Sequence, residues 1–166
     1  STRIHPTTFA GSERPCALTI ARDITERKLA EQEIRKFKMI ADNATYGVSM
    51  VDMQGKIIYA NESFAEVHGY SVPELIGRDI SVFHAAEQMP EVRRILRSLL
   101  TEGNVSNAEV WHMRRDGTPF PMLMNVLLIR DEEDRPLFVA TTATDITEQK
   151  QAQERLRESE ERYRTL

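Results

Sequence analysis

The chain has 166 residues, 40% of them apolar and 29% charged, with a net charge of −4 and a pI near 5.6. That length holds one core of about 100 to 150 residues, and the mild acidity argues against nucleic acid or an anionic membrane surface, both of which select basic patches. No apolar run approaches the roughly 18 residues of a membrane span, no signal peptide opens the sequence, and the single cysteine, Cys16, can form no internal disulfide, so a reducing cytoplasm is the expected setting.

In chain order, residues 1–22, with Pro6, Gly11 and Pro15 between short β-like runs, are expected to be the last hairpin of an upstream module. A helix follows over 23–43, where Ala30, Ile34, Phe37, Ala41 and Ala44 step by 4, 3, 4, 3, the spacing of a coiled-coil seam or of a helix packed on its own domain. Runs 46–51 and 56–60, joined by Met53-Gln54-Gly55, predict a hairpin. Asn61 caps a short helix through His68 that Gly69 stops, and Ser71-Val72-Pro73-Glu74 supplies a capping box for one more turn, ending at Gly77. After 79–84 the clearest helix starts near Pro90, with Val92, Ile95, Leu96, Leu99 and Leu100 marking one face and Gly103 as its stop.

Strands are then predicted at 107–114 and 119–129, flanking Arg115-Asp116-Gly117, and at 137–144 after an acidic turn over 131–136. The order is β-β-α-α-α-β-β-β, an α+β pattern. Its sheet either pairs sequence neighbours only or brings one pair together across the helical segment. A second charged helix begins after the last strand, and Ala152, Leu156, Ser159, Tyr163 and Leu166 repeat the 4, 3, 4, 3 spacing.

One pattern occurs twice, ARDITERK at 21–28 and ATDITEQK at 143–150, an offset of 122 residues that sets a module of about that size. Each copy joins an apolar strand (17–21 and 138–143) to a charged helical run, with Asp23 and Asp145 as N-caps and Glu26 and Glu148 three positions on.

The run GVSMVDMQGKIIYANESFAEVHGYSVPELIGRDI, then RRDGTPFPM, then DITEQKQAQERLRESEERYRTL, resembles a PAS domain of a bacterial multi-domain sensor kinase. The resemblance implies a five-stranded antiparallel sheet in order 2-1-5-4-3, with helices closing a pocket on one face, and a role in sensing and relay rather than catalysis. It divides the chain into the tail of an upstream PAS module (1–25), a linker helix (26–43), the PAS domain (44–147) and an exit signalling helix (148–166) leading to a further module. The module-opening helix aligns Phe37 with Tyr163, an offset of 126, so the second linker is four residues longer, a stutter in heptad terms.

Around Asp116-Gly117 a two-residue turn would pair Arg115 with Thr118 and a three-residue loop would pair Arg114 with Thr118; the family pattern favours the second. Val110, His112, Met122, Met124 and Val126 then share the face that the resemblance makes the pocket face, with Val139 and Thr141 on the last strand and Val92 and Leu96 on the long helix. Trp111, Met113, Leu123 and Leu127 share the other face. A sheet apolar on both sides needs cover on both, so this outer face, with Ile34 and Phe37 of the linker helix, is the expected homodimer surface.

Photoactive flavin members of the family carry a cysteine in a Gly-x-Asn-Cys run, where this chain has Gly77-Arg78-Asp79-Ile80, which excludes that chemistry. Haem-binding members place a histidine where Val92 stands, which argues against haem by that ligation. Flavin-dinucleotide members have a tryptophan near the position of Ser106, so Trp111 reads as outer-face packing. The cofactor is otherwise unknown. His84 is expected to hydrogen-bond at a helix start, and His112 to be a hydrogen-bonded strand histidine before it is a metal ligand. With no phosphate-cradling glycine loop, metal spacing or nucleophile–base pair, no catalytic or metal residue is assigned.

Two functions are weighed equally: a cytoplasmic sensory module that binds a small molecule and passes the change through Asp145, Ile146 and Thr147 to the exit helix, and a ligand-free dimerisation and relay module. A haem- or flavin-bearing redox or gas sensor is the minor alternative. The expected partners are a second copy, adjacent PAS modules and, on the sensory reading, a small ligand, with no nucleic acid and no membrane contact. The expected output of the whole protein is a histidine kinase of a two-component system, with a diguanylate cyclase as runner-up.

Overall fold

The structure, a computed structural model, describes the backbone of residues 16–164 and side chains from residue 27 onward. It separates into two compact units, Ser1–Met39 and Ile40–Leu166. Helix α1, Cys16–Asp42, accounts for the described part of the first. The strand expected at 17–21 is therefore corrected: that stretch is helical, and Asp23 lies inside the helix rather than at its start. A lone two-stranded hairpin is marginal in water, whereas a helix satisfies its backbone within itself. The rest of the expected hairpin lies outside the described residues.

The second unit is built on β1 (Gly47–Asp52), β2 (Ile57–Ala60), α2 (Glu62–His68), α3 (Val72–Leu75), two 3₁₀ turns (Ile80–Phe83 and Ala86–Gln88), α4 (Met89–Glu102), β3 (Asn104–Met113), β4 (Pro119–Arg130), β5 (Pro136–Asp145) and α5 (Thr147–Arg164). The sheet is antiparallel in the order β2-β1-β5-β4-β3. Thus β1 and β5 meet at its centre, Gly47 opposite Ala143 and Asp52 opposite Phe138, across all the intervening helices. Gly47 has to be small there, because an added Cβ would lie 3.0 Å from the Phe64 ring and 3.1 Å from the Ala143 carbonyl oxygen.

Asn61 sets the start of α2 and ties it to the sheet. Its Oδ1 accepts from the Phe64 N–H (2.9 Å), as an N-cap should, and from the Val48 N–H (2.8 Å), while its Nδ2 donates to the Ala41 and Tyr46 carbonyls. Gly69 closes the helix in the left-handed region, at φ 79°. Helices α2 to α4 cover one sheet face, and Phe64, Leu75, Phe83, Leu99, Phe120 and Met122 are the fully buried centre. Each such side chain contributes about 1.5 to 3 kcal/mol relative to exposure.

The β3–β4 hairpin has the three-residue loop: the Arg114 N–H donates to the Thr118 carbonyl (2.9 Å), and Gly117 sits at φ 85°. Val110 is then opposite Met122 and His112 opposite Phe120 on the covered face, while Trp111 is opposite Pro121 on the outer one. Farther along, Asn107 at φ 54° forms a bulge, its N–H bonded to Asn125 Oδ1 (3.0 Å).

Replacing Asn61 with Ala leaves buried N–H and C=O groups unpaired. Asn61→Ala should cost about 3 kcal/mol, the sum of one lost cap and the desolvation of the abandoned groups. Urea unfolding monitored by circular dichroism checks this, and a change below 1 kcal/mol would contradict it.

Candidate functional site

Between α4 and the covered sheet face lies a cavity of about 170 Å³. Val110, His112, Met124 and Val126 line it from β3 and β4, Val139 and Thr141 from β5, and Val92 and Leu96 from α4. Of the side chains expected on the pocket face, only Met122 is displaced from the wall. It is fully buried toward the Asp145 end of the sheet, in the core around Phe64, Phe83 and Phe120, because its register places it opposite Val110 and Asp145.

The sequence reading missed other wall residues. Val51, Asp52, Met53 and Gly55 enter from the β1–β2 hairpin, and Ile80, His84 and Ile95 from the helical side. Among the described residues Asp52 is the only charged one in the wall, and its Oδ1 is engaged by the Gln54 and Lys56 backbone N–H groups. The wall is therefore mainly apolar, its polar side chains being Asp52, Thr141, His84 and His112.

His84 is more than the helix-start group expected of it. The 3₁₀ turn Ile80–Phe83 ends at His84 and carries it inward, to 9% exposure, with its ring edge-on to His112 at 4.6 Å between centroids. His68 was not singled out at all, yet it is fully buried. Its spacing of four from Phe64 puts both on the buried side of α2, a periodicity that could have found it.

His68 Nδ1 lies 2.7 Å from the Phe64 carbonyl oxygen and His68 Nε2 lies 2.8 Å from His112 Nδ1. The rings stand among Phe64, Phe83 and Phe120. Burial is the main cause that lowers all three histidines: His68 to about 4, His112 well below its ordinary value, and His84 below it as well. They are neutral at pH 7. Among the described residues no group of three or more His, Cys, Asp or Glu side chains is placed to hold a metal ion.

At the far end of β5, Asp145 makes the junction to α5. Its Oδ1 accepts from the Thr147 N–H (2.8 Å) and hydroxyl (2.5 Å), and its Oδ2 accepts from Arg114 Nη2 (2.6 Å). Thr147, rather than Glu148, completes the cap. Burial acts to raise the Asp145 carboxyl, but the Thr147 and Arg114 donors overcome it and hold the group below the usual carboxylate range. Ile146 is buried, and its N–H donates to the Pro121 carbonyl (3.1 Å). Arg114 also donates to the Val67 carbonyl and stacks its guanidinium 3.8 Å from the Phe120 ring centre. The junction is thus linked to the end of α2, next to His68.

On the outer face Trp111 is 53% exposed and Leu127 47%, while Met113 and Leu123 are half-buried. Ile34 and Phe37 on α1 are exposed as well.

The buried histidines give the fold a pH dependence. With the folded-state value of His68 at about 4 and the unfolded value near 6.5, the unfolded chain binds more protons between them, so stability falls as pH drops through that window and is fully present above it. The loss should be on the order of 2 to 3 kcal/mol for His68 alone. Denaturant titrations at pH 7 and pH 4.5 check it; equal stability at both would show that the imidazole is not held neutral.

Comparison with known proteins agrees with this architecture. A family profile described as "PAS domain" matches residues 45–148. Over 122 residues the chain is 25% identical to the sensor histidine kinase TmoS of Ectopseudomonas mendocina, and over 125 residues it is 30% identical to the cell-division control histidine kinase PdhS of Brucella ovis. Each match covers 73% of this chain and 12% of the relative, so the chain corresponds to about an eighth of those proteins. Among solved structures, a PAS domain from Colwellia psychrerythraea superposes with a TM-score of 0.65 at 19% identity, covering 69% of this chain and 98% of that one. The LOV protein of Rhodobacter sphaeroides gives 0.59 at 18% identity, covering 69% and 67%. With the strand order, the helical cover on one face and a profile match over most of its length, the chain belongs to the PAS domain family.

Proposed function

We propose that this PAS domain is a sensory module that takes a small, mainly apolar molecule into the cavity beneath α4 and passes the change through Asp145, Ile146 and Thr147 to α5. The observation that carries this reading is the cavity itself. Large side chains such as Met124 and His112 could have filled it, as a ligand-free relay would require, yet about 170 Å³ stays open beside them. An apolar cavity of about 150 Å³ is enough for one benzene-sized ring. Two of its wall residues, Val139 and Thr141, lie on β5, the strand that runs into the junction. A ligand pressing on β5 would bias α5 through the Asp145 cap, with a coupling of about 1 to 3 kcal/mol.

The parent is proposed to be a cytoplasmic sensor histidine kinase, in keeping with the kinases to which the chain is similar. No described helix is long and apolar enough to cross a membrane. The exposed Trp111 and Leu127, with Ile34 and Phe37, support homodimerisation, since a half-exposed apolar sheet face invites a second surface. In α5, Leu156 and Tyr163 are exposed along the seam while Leu166 lies outside the described residues. Dimeric signalling helices whose register carries the output would use such a seam.

Val126→Trp should fill the cavity and abolish uptake of small apolar molecules, seen by native mass spectrometry, while the far-ultraviolet circular dichroism stays that of the parent chain. Undiminished uptake would place the ligand elsewhere. In the full-length protein, deleting seven residues between Gln149 and Glu160 should preserve regulated kinase output and deleting four should disturb it, because only the first keeps the heptad phase. Equal activity in both would leave α5 a passive tether.

A further inference from the structure

The hydrogen-bond chain through the histidines has a direction, and the direction ends at the cavity. The Phe64 carbonyl can only accept, so His68 Nδ1, 2.7 Å away, carries the hydrogen. In a neutral imidazole the other nitrogen is then a lone pair, which makes His68 Nε2 the acceptor and His112 Nδ1, 2.8 Å from it, the N–H donor. By the same rule His112 Nε2 is a lone pair. It lies on the ring edge away from His68, in a side chain that is 1% exposed and lines the cavity, and among the described residues no group partners it. His84 Nδ1, on the ring that meets His112 edge-on, is likewise buried without a partner among the described residues.

Such an acceptor in an apolar wall is costly unless a ligand or water supplies a hydrogen. A simple carboxylate cannot: it has no hydrogen to give, and among the described residues no Lys or Arg lines the cavity to offset its charge. A purely apolar ring fits the volume but abandons the lone pair. We propose that the cavity selects a small neutral molecule of about one ring that carries a hydroxyl or N–H donor, which it gives to His112 Nε2, with His84 Nδ1 as the adjoining polar contact. A backbone carbonyl on α2 thereby sets the polarity of the recognition site two rings away. This rests on the sensory-pocket reading and names the ligand class that reading leaves open.

The test titrates the 166-residue chain with phenol, toluene and benzoate, matched in size and differing in the group presented. Binding is followed by calorimetry and by the nitrogen shifts of the histidine rings, which need no substitution of a buried residue. Phenol should bind about tenfold more tightly than toluene, the yield of one buried hydrogen bond, with benzoate weakest. Phenol alone should move the resonance of one unprotonated ring nitrogen. In the His112→Phe variant that still folds, the preference for phenol should vanish. Equal affinity for phenol and toluene, or a preference for benzoate, overturns the donor class while keeping the pocket. No binding of any of the three overturns the pocket reading along with it.

Discussion

The pairing of β1 with β5 is the constraint on which the rest of the domain depends. These strands are more than eighty residues apart in sequence, and closing that loop costs entropy before any contact rewards it. What rewards it is local. The Asn61 side chain, just past β2, bonds simultaneously to β1, to the first turn of α2 and to two carbonyls before β1, which fixes where the chain leaves the sheet. Gly47 then lets the Phe64 ring and the β5 backbone approach within van der Waals distance. Once β1 and β5 are adjacent, every helix between them must lie over one face, and the cavity is the space they leave.

A second constraint is the placement of charge at the exit. Arg114 stands at the end of β3 and reaches three elements at once: the last turn of α2 through the Val67 carbonyl, the ring of Phe120 on β4, and Asp145 at the end of β5. Both partners of the ion pair are about three-quarters buried, so the attraction is less screened than at a surface, and breaking one side would strand the other. The same arginine lies close enough to His68 to help keep that imidazole neutral, after the larger effect of burial. The histidine chain and the junction to α5 are therefore neighbours through the end of α2, a short physical path between the cavity and α5.

The polar chain inside an apolar core is itself informative. Buried imidazoles are tolerated here because two of the three are bonded to each other and to a backbone carbonyl, and the surrounding phenylalanines hold the rings in place. An apolar replacement would pack as well at less cost in polar desolvation. The open nitrogens at the end of the chain are what such a replacement would lack.

Most of the fold was legible in the sequence because its signals are local. Asn61, Gly69, Ser71 to Glu74 and Gly103 mark the helix ends, and alternation along Val110 to Val126 separates the sheet faces, since side chains two apart in a strand must share a side. The three-residue loop at Gly117 followed from turn chemistry with the family resemblance. The strand expected at 17–21 failed because an apolar run that short suits a helix as well as a strand, and only partners decide. Tertiary structure alone decided three things: that His68, His84 and His112 converge from a helix, a turn and a strand; that Met122 is core while Met124 is wall; and that Arg114 meets Asp145. Each is a contact between residues distant in sequence, and no period or cap encodes which distant side chain arrives.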